Sequence, residues 1–217
     1  MKRIEEIAKE AGIEHKEIEE GRCFYRQVKK SLSQISASYS QLDNFFCGNN
    51  LTTWFWLADD LNLDSLSCDI NLTNKSRRLR EKIKECFPEL ESRNKFVKTD
   101  LTSSWLEEEE EGGRKSLAIA IHACGNLSDI FIKNCTARRI PFAIVPCCHK
   151  KDSFVLSPAN YPYGLRYEDY AFDFYQDRIR AKYAEEKGYD IFFESLPIKT
   201  TAKNRIILGV PQDDFYR

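Results

Sequence analysis

Histidine, cysteine and small polar residues gather at two points in the chain, each directly after a short apolar run. LAIAI, Leu117 to Ile121, stops at HACGNLSD, and PFAIV, Pro141 to Val145, stops at PCCHKK. His122 and His149 could each serve as a general base toward a hydroxyl, because imidazole exchanges its proton near neutral pH; Asp129 or Lys150 would tune it. The other use of His122 is to bond the backbone and shape its own loop. Cys147 and Cys148 could supply a thiolate nucleophile where the surroundings lower the thiol pKa, or could be small polarizable residues that let a substrate approach. Cys124, Cys147, Cys148, His122 and His149 also form a possible zinc-ligand set. No metal is expected, since adjacent cysteines leave a strand on opposite faces and no CxxC occurs.

Elements must bring these clusters together. Both apolar runs lack polar alternation, as strands of a parallel sheet do when helices cover both faces. DIFIKNCTARR lies between them with apolar groups at helical spacing, so the unit reads strand, helix, strand. Ligands of open α/β sheets sit beyond the carboxyl ends of the strands, and both clusters fall there.

A second site-forming stretch lies earlier. In QLDNFFCGNNLTTWFWLADDLNL a strand, Asn44 to Cys47, meets the turn Gly48-Asn49-Asn50 before a helix opens at Leu51. Glycine suits a turn that needs positive φ, and Asn is an ordinary residue that tolerates αL geometry. SLSCDI, Ser65 to Ile70, is the next strand and brings Asp69 about twenty residues after the glycine, the spacing at which an acid meets a ribose diol. Capping of the helix that starts near Thr73 is the competing use of Asp69. KFVKTDL, Lys95 to Leu101, is a third strand bearing Asp100, and EEEEEGG, residues 107–113, reads as a solvated loop.

The flanks complete the pattern. Residues 1 to about 40 carry two helices, with Ile4, Ile7 and Ala8 on one face of the first and Ile18, Phe24, Tyr25, Val28 and Leu32 spaced over the second, packing as a lead-in on a main domain of residues 41–217. Arg22, Arg26, Lys29 and Lys30 lie on the second helix, either as a solvated face or as phosphate contacts. DSFVLSPANYPYGLRYED is long enough for a lid or recognition loop. YAFDFYQDRIRAKYAEEKGY reads as a helix, and YDIFFESLP and NRIILGVP as a closing hairpin whose last strand is antiparallel.

Composition bounds the rest. The 217 residues suit one α/β domain, with 42% hydrophobic and 31% charged residues. No apolar stretch reaches the roughly 18 residues of a membrane span. The charged amino terminus does not resemble a signal peptide, so the cytosol or nucleus is expected, with no membrane partner and with the eight cysteines reduced. A net charge of −1 gives no global attraction to nucleic acid; any such partner needs a local basic patch.

The strands, the acids on the second and third of them, and the hairpin resemble a class I S-adenosylmethionine-dependent methyltransferase. More narrowly, HACGNLSD, PCCH and TAKNRIILGVP resemble the group that includes the acceptor-stem tRNA 2′-O-methyltransferases and related proteins with a paired H-x-C-G and CCH signature, over roughly residues 40 to 210. The resemblance implies a Rossmann-like seven-stranded sheet of order 3-2-1-4-5-7-6, with the amino-terminal helices as an extension. It implies S-adenosylmethionine as cofactor, its methionine part against Cys47, Gly48 and Asn49, the ribose by Asp69 and Ile70, and the adenine by Asp100 and Leu101. His122, Ala123, Cys124 and Gly125 would close the pocket beneath the sulfonium. Two positions depart from the pattern: Asn44, or Asp43 if the register slips, stands where the family has an acid, and Asn50 where it has glycine. The resemblance also implies RNA, tRNA first, as partner. Arg138, Arg139, Lys150, Lys151, Arg166, Lys199, Lys203 and Arg205 are expected near the sheet's carboxyl edge or hairpin, Tyr161, Tyr163 and Tyr167 are available to stack on a base, and a protein partner could add affinity. The alternatives are a protein or small-molecule acceptor, or an inactive interaction subunit of the same fold.

Overall fold

In chain order the elements are α1 (Lys2–Glu10), α2 (His15–Gln34), β1 (Gln41–Phe45), α3 (Leu51–Asp59), β2 (Asp64–Asp69), α4 (Asn74–Cys86), α5 (Pro88–Ser92) and β3 (Asn94–Lys98). β4 (Ser116–Ala123), α6 (Asn126–Arg138), β5 (Phe142–Pro146), α7 (Tyr170–Glu186), β6 (Tyr189–Ser195) and β7 (Arg205–Pro211) follow. They come from a computed structural model that describes residues 1–35, 39–99, 115–147, 170–197 and 204–212, the side chains of 170–172 excepted. The strands form one sheet of order β3-β2-β1-β4-β5-β7-β6, the order implied by the family resemblance. β3, β2, β1, β4 and β5 are parallel, while β7 runs antiparallel to both β5 and β6. No helix among the described residues is long and apolar enough to cross a membrane.

Strand composition explains the layering. Leu117 and Ile119 of β4 join the core formed with α1 to α5, whereas Ala118 and Ala120, pointing the other way, join the core beneath α6 and α7. β5 divides likewise, with Ala143 and Val145 on one side and Phe142 and Ile144 on the other. A strand buried on both faces can show no polar alternation, and this is why these runs are continuous. On the α6–α7 side, small alanines leave room for a row of rings. Phe45 meets Phe131 at 5.9 Å between centroids, Phe131 meets Phe142 at 6.1 Å, and Phe142 meets Tyr189 at 5.7 Å.

The first strand lies earlier than expected, at Gln41–Phe45 rather than Asn44 to Cys47. Phe46 has φ 54°, outside the extended region, and the pairing of β1 with its neighbours stops by Phe45. Crossovers α3 and α4 lead from β1 to β2 and from β2 to β3, and α6 leads from β4 to β5. Because α3 and α6 lie on opposite faces, the sheet reverses its winding between β1 and β4. That switch point opens a crevice at the strands' carboxyl ends.

Gly209 of β7 sits under the Phe142 ring. An added Cβ would lie 2.5 Å from Phe142 Cζ and 3.1 Å from Ile191 Cδ1. Phe142 is held by rings on two sides and cannot swing away. Gly209→Ala should therefore cost about 1–3 kcal/mol of stability through overpacking, read as a lower urea midpoint; an unchanged midpoint would show that the ring row can yield.

Candidate functional site

The turn after β1 is held in an unfavourable shape by side chains from three strands and two helices. Phe46, Gly48 and Asn50 have φ of 54°, 52° and 59°. Asn50 N donates to Cys47 O at 2.6 Å and closes the turn. Beneath it, the buried Asn50 Oδ1 accepts from Thr53 Oγ1 at 2.6 Å, Ser67 Oγ at 2.8 Å and Asn44 Nδ2 at 3.2 Å. Asn44 also donates to Thr53 Oγ1 at 2.9 Å, and Ser67 Oγ lies 2.9 Å from Asn94 Oδ1. Asn50 thus adopts the αL geometry expected of it, and its side chain anchors the turn, a function glycine could not provide. Asn49 Oδ1 accepts from Leu51 N at 3.0 Å and satisfies one orphan donor of α3.

Asp69 clasps this turn. Its Oδ2 accepts from Gly48 N at 2.8 Å, while Gly48 O accepts from Ser76 Oγ at 2.6 Å. The competing use of Asp69 is removed: the cap of α4 is Thr73, whose Oγ1 accepts from Ser76 N at 3.1 Å. Cys47 N bonds Cys68 O at 3.3 Å, so Cys47, Gly48 and Asp69 form one continuous edge. Ile70, next to the acid, is an exposed branched side chain.

Across the switch point β4 ends in a bulge between Ile121 and Ala123. His122, at φ 62°, is turned out of the strand and its side chain is 41% exposed. β1 pairs with β4 as far as Asn44 and Ile119, so the turn after β1 and His122 both lie at the carboxyl ends of adjacent strands. Gly125, at φ 60°, is the N-cap of α6, and Ser128 Oγ donates to Ala123 O at 2.5 Å. Among the eight positive-φ residues described, five lie at the ends of β1 and β4, and the others end helices. Strain concentrated in this way marks a site.

Two residues absent from the sequence reading hold the β4 side. Glu20, a buried carboxylate on α2, bonds His122 Nε2 at 2.9 Å. Arg180 of α7, fully buried, donates to Asp129 Oδ1 at 2.7 Å, Asp177 Oδ1 at 3.2 Å and Gly125 O at 3.3 Å. Asp129 is thus bonded by Arg180, while the His122 ring is bonded by Glu20. Asp129 is fixed in this ion pair, since a carboxylate on the first turn of α6 faces the core and needs a cation there. Glu20 flanks the buried stripe of α2 but sits in the run Glu19-Glu20, which reads as solvated face; its nearness to that stripe was the only available signal.

The basic residues also differ from expectation. α6 runs opposite to β4, so Arg138 and Arg139 lie at the amino edge beside the start of β5, away from the site. Arg205 does lie at the carboxyl edge, but Nε donates to Asp177 Oδ2 at 2.8 Å and the side chain is largely covered. Arg22 pairs with Glu5 and Glu19, and Lys29 with Asp59. Exposed cations at this edge come instead from Arg77 and Arg78 on the first turns of α4 and from Lys98 at the end of β3.

Cys147 follows β5 directly, whereas Asp100, Leu101, Cys148 and His149 lie outside the described residues, as do Lys150, Lys151, Arg166, Lys199, Lys203 and the three loop tyrosines. Among the described residues no three His, Cys, Asp or Glu side chains converge as a metal would require. Burial, with Asp69 nearby, pushes the Cys47 thiol up, and burial with Asp43 raises Cys68 to about 12. Both are neutral fillers rather than nucleophiles.

A family model described as a methyltransferase domain matches residues 15–153, which take in α2, the Gly48 turn, Asp69 and the β4 edge. Among solved structures, the methyltransferase domain of bacterial CtHen1-C is similar with a TM-score of 0.55 and 17% identity, covering 89% of this chain and 98% of that one. The fibrillarin/Nop5p complex is similar with a TM-score of 0.55 and 11% identity, over 87% and 82%. The glycopeptide N-methyltransferase MtfA complexed with sinefungin follows at 0.51 and 9%, over 84% of each chain. The chain spans 55% of the length of an O-methyltransferase family protein from Burkholderia thailandensis, which covers 84% of it at 11% identity and a TM-score of 0.48. At these identities the likeness is one of fold. No curated protein matches the chain in sequence.

Thiol burial gives a direct check on the edge. Iodoacetamide on the native protein should alkylate the exposed Cys86 and Cys124 and spare Cys47, Cys68 and Cys135 until denaturant is added, as read by peptide mass spectrometry. Modification of Cys47 as fast as Cys124 would contradict the closed turn.

Proposed function

We propose that the chain, which belongs to the methyltransferase-domain family, is an S-adenosylmethionine-dependent methyltransferase whose acceptor is RNA, with transfer RNA the first candidate. The observation that carries the reading is the Gly48–Asp69 clasp at the switch point of the sheet, with His122 at the end of the adjacent strand β4. The residues present suit an adenosyl group. An added Cβ at Gly48 would meet no atom within 4 Å, so the turn faces open space. Asp69 gives only part of its acceptor capacity to Gly48 and is half-buried, leaving lone pairs for a diol. Ile70 offers an apolar surface beside it for a purine face.

S-adenosylmethionine, when bound, supplies an electrophilic methyl group on a sulfonium. The chain's own part is placement and proton removal. The ends of β1 and β2 would hold the adenosyl moiety, with Cys47, Gly48 and Asn49 along its methionine part. His122 would take the acceptor's proton. Arg77, Arg78 and Lys98 support a polyanionic acceptor, since exposed cations at the sheet's carboxyl edge can engage phosphates in a chain with no overall positive charge. One observation favours the inactive interaction subunit as the second reading. Asn44, at the family's acidic position, carries no charge and gives its side-chain NH2 to the network beneath the turn.

Calorimetry with S-adenosylhomocysteine separates the two. Binding by the wild-type protein is expected, weakened roughly 10- to 100-fold by Asp69→Ala, the loss that goes with a charge-assisted hydrogen bond. Asp69→Asn should lie between, because it keeps an acceptor for Gly48 N. Labelled methyl from S-adenosylmethionine should then enter total RNA rather than total protein. Absence of any binding heat would favour the interaction subunit, and label in protein alone would remove RNA.

A further inference from the structure

We propose that Glu20, on α2, is a positioning residue for methyl transfer that fixes the tautomer and orientation of His122; the inference rests on the methyltransferase reading above. Its side chain is 7% exposed, an expensive place for a carboxylate, and it lies 2.9 Å from His122 Nε2 across 102 residues of sequence. The other oxygen lies 3.8 Å from Lys16 Nζ on the same helix. An ionised carboxylate only accepts, so Nε2 carries a proton and the lone pair of the neutral ring is on Nδ1. Without Glu20 the ring would be free to take either tautomer and to rotate on its strained backbone.

The approach of α2 that brings Glu20 to the ring depends on its neighbour. Gly21, in mid-helix, is where an added Cβ would lie 3.3 Å from Thr52 Oγ1 and 3.6 Å from Phe55 Cε2 on α3. Glycine in a helix interior costs roughly 1 kcal/mol against alanine, and here it allows α2 to press on the first turns of α3, the helix that opens from the Gly48 turn. Gln27 Nε2 and Ser31 Oγ, farther along α2, bond Glu194 of β6 at 2.8 and 2.9 Å and fix the helix along the sheet. The segment before the first strand thus supplies a side chain to the reacting edge.

In the step itself the acceptor oxygen forms its bond to the methyl carbon as the sulfur–methyl bond breaks, and the acceptor proton passes to His122 Nδ1. The imidazolium so formed faces the Glu20 carboxylate, which offsets its charge, and the proton leaves later to solvent. Sulfur retains the bonding pair as a neutral thioether, so charge and atoms balance.

Nitrogen-15 NMR of the histidine side chains at mildly alkaline pH tests this without turnover. Wild-type His122 should show a protonated Nε2 and a bare Nδ1. Glu20→Gln, whose amide can donate or accept, should give mixed tautomers. In the transfer assay it should lower kcat at least about tenfold while leaving the KM for S-adenosylmethionine and the affinity for S-adenosylhomocysteine within about twofold, as the bond from Glu20 goes to the outward-turned His122 ring and not to the Gly48–Asp69 clasp. A proton on Nδ1 in the wild-type protein would overturn the proposal, as would a variant with unchanged tautomer and kcat, or one whose kcat and cofactor affinity fall together. The wild-type spectrum decides by itself if the variant does not fold. Failure of the wild-type protein to bind S-adenosylhomocysteine would instead defeat the methyltransferase reading, and the spectrum would still report on the pair.

Discussion

Between β1 and α3 the backbone takes positive φ at three of five residues, and two of the three, Phe46 and Asn50, bear side chains. Each such residue costs about 1–2 kcal/mol, so the turn exists only because its surroundings over-determine it. Three donors converge on Asn50 Oδ1 from below, and Asp69 and Ser76 hold the amide and carbonyl of Gly48 from the side. The position of the α3 amino terminus, the orientation of Asp69 and the openness in front of Gly48 all follow from these bonds. The buried network is specific as well as stabilising: its members are uncharged, so it incurs a smaller desolvation penalty than ion pairs in the same place would.

On the other side of the switch point the restraint is ionic. Arg180 ties α7 to the N-cap of α6 and to Asp129, while Glu20 ties α2 to His122. Two helices remote in sequence therefore fix the two ends of the HACG segment. α2 has further anchors in Glu194 and Asp59, and its apolar face shares the core with Leu196, Ile206 and Leu208 of the hairpin region. A helix so bound to both β4 and β6 moves with the sheet, and this gives a side chain from it the precision that a catalytic neighbour requires.

The strands were readable in the sequence because LAIAI, PFAIV and RIILGV are apolar throughout and too short for a buried helix, which leaves a strand covered on both faces. The Gly48 turn and Asp69 were readable because few residue types tolerate positive φ and because the spacing of acid to glycine is set by one helix and one strand. Glu20 was not readable: a carboxylate beside another carboxylate looks solvated, and only the contact with a histidine 102 positions away reveals otherwise. The bond of Asp129 to Arg180 was hidden for the same reason, the two lying 51 positions apart. Arg138 and Arg139 were assigned to the wrong end of the sheet, since clustering of charge in sequence does not tell which end of an antiparallel helix carries it.

The central claim is that the ends of β1, β2 and β4 form one binding edge. Titrating S-adenosylhomocysteine into nitrogen-15-labelled protein and following backbone amides tests it most directly. The amides of Gly48, Ile70 and Gly125 should shift together and fit a single dissociation constant. Shifts confined to other parts of the sheet, or different constants for the three amides, would contradict the account.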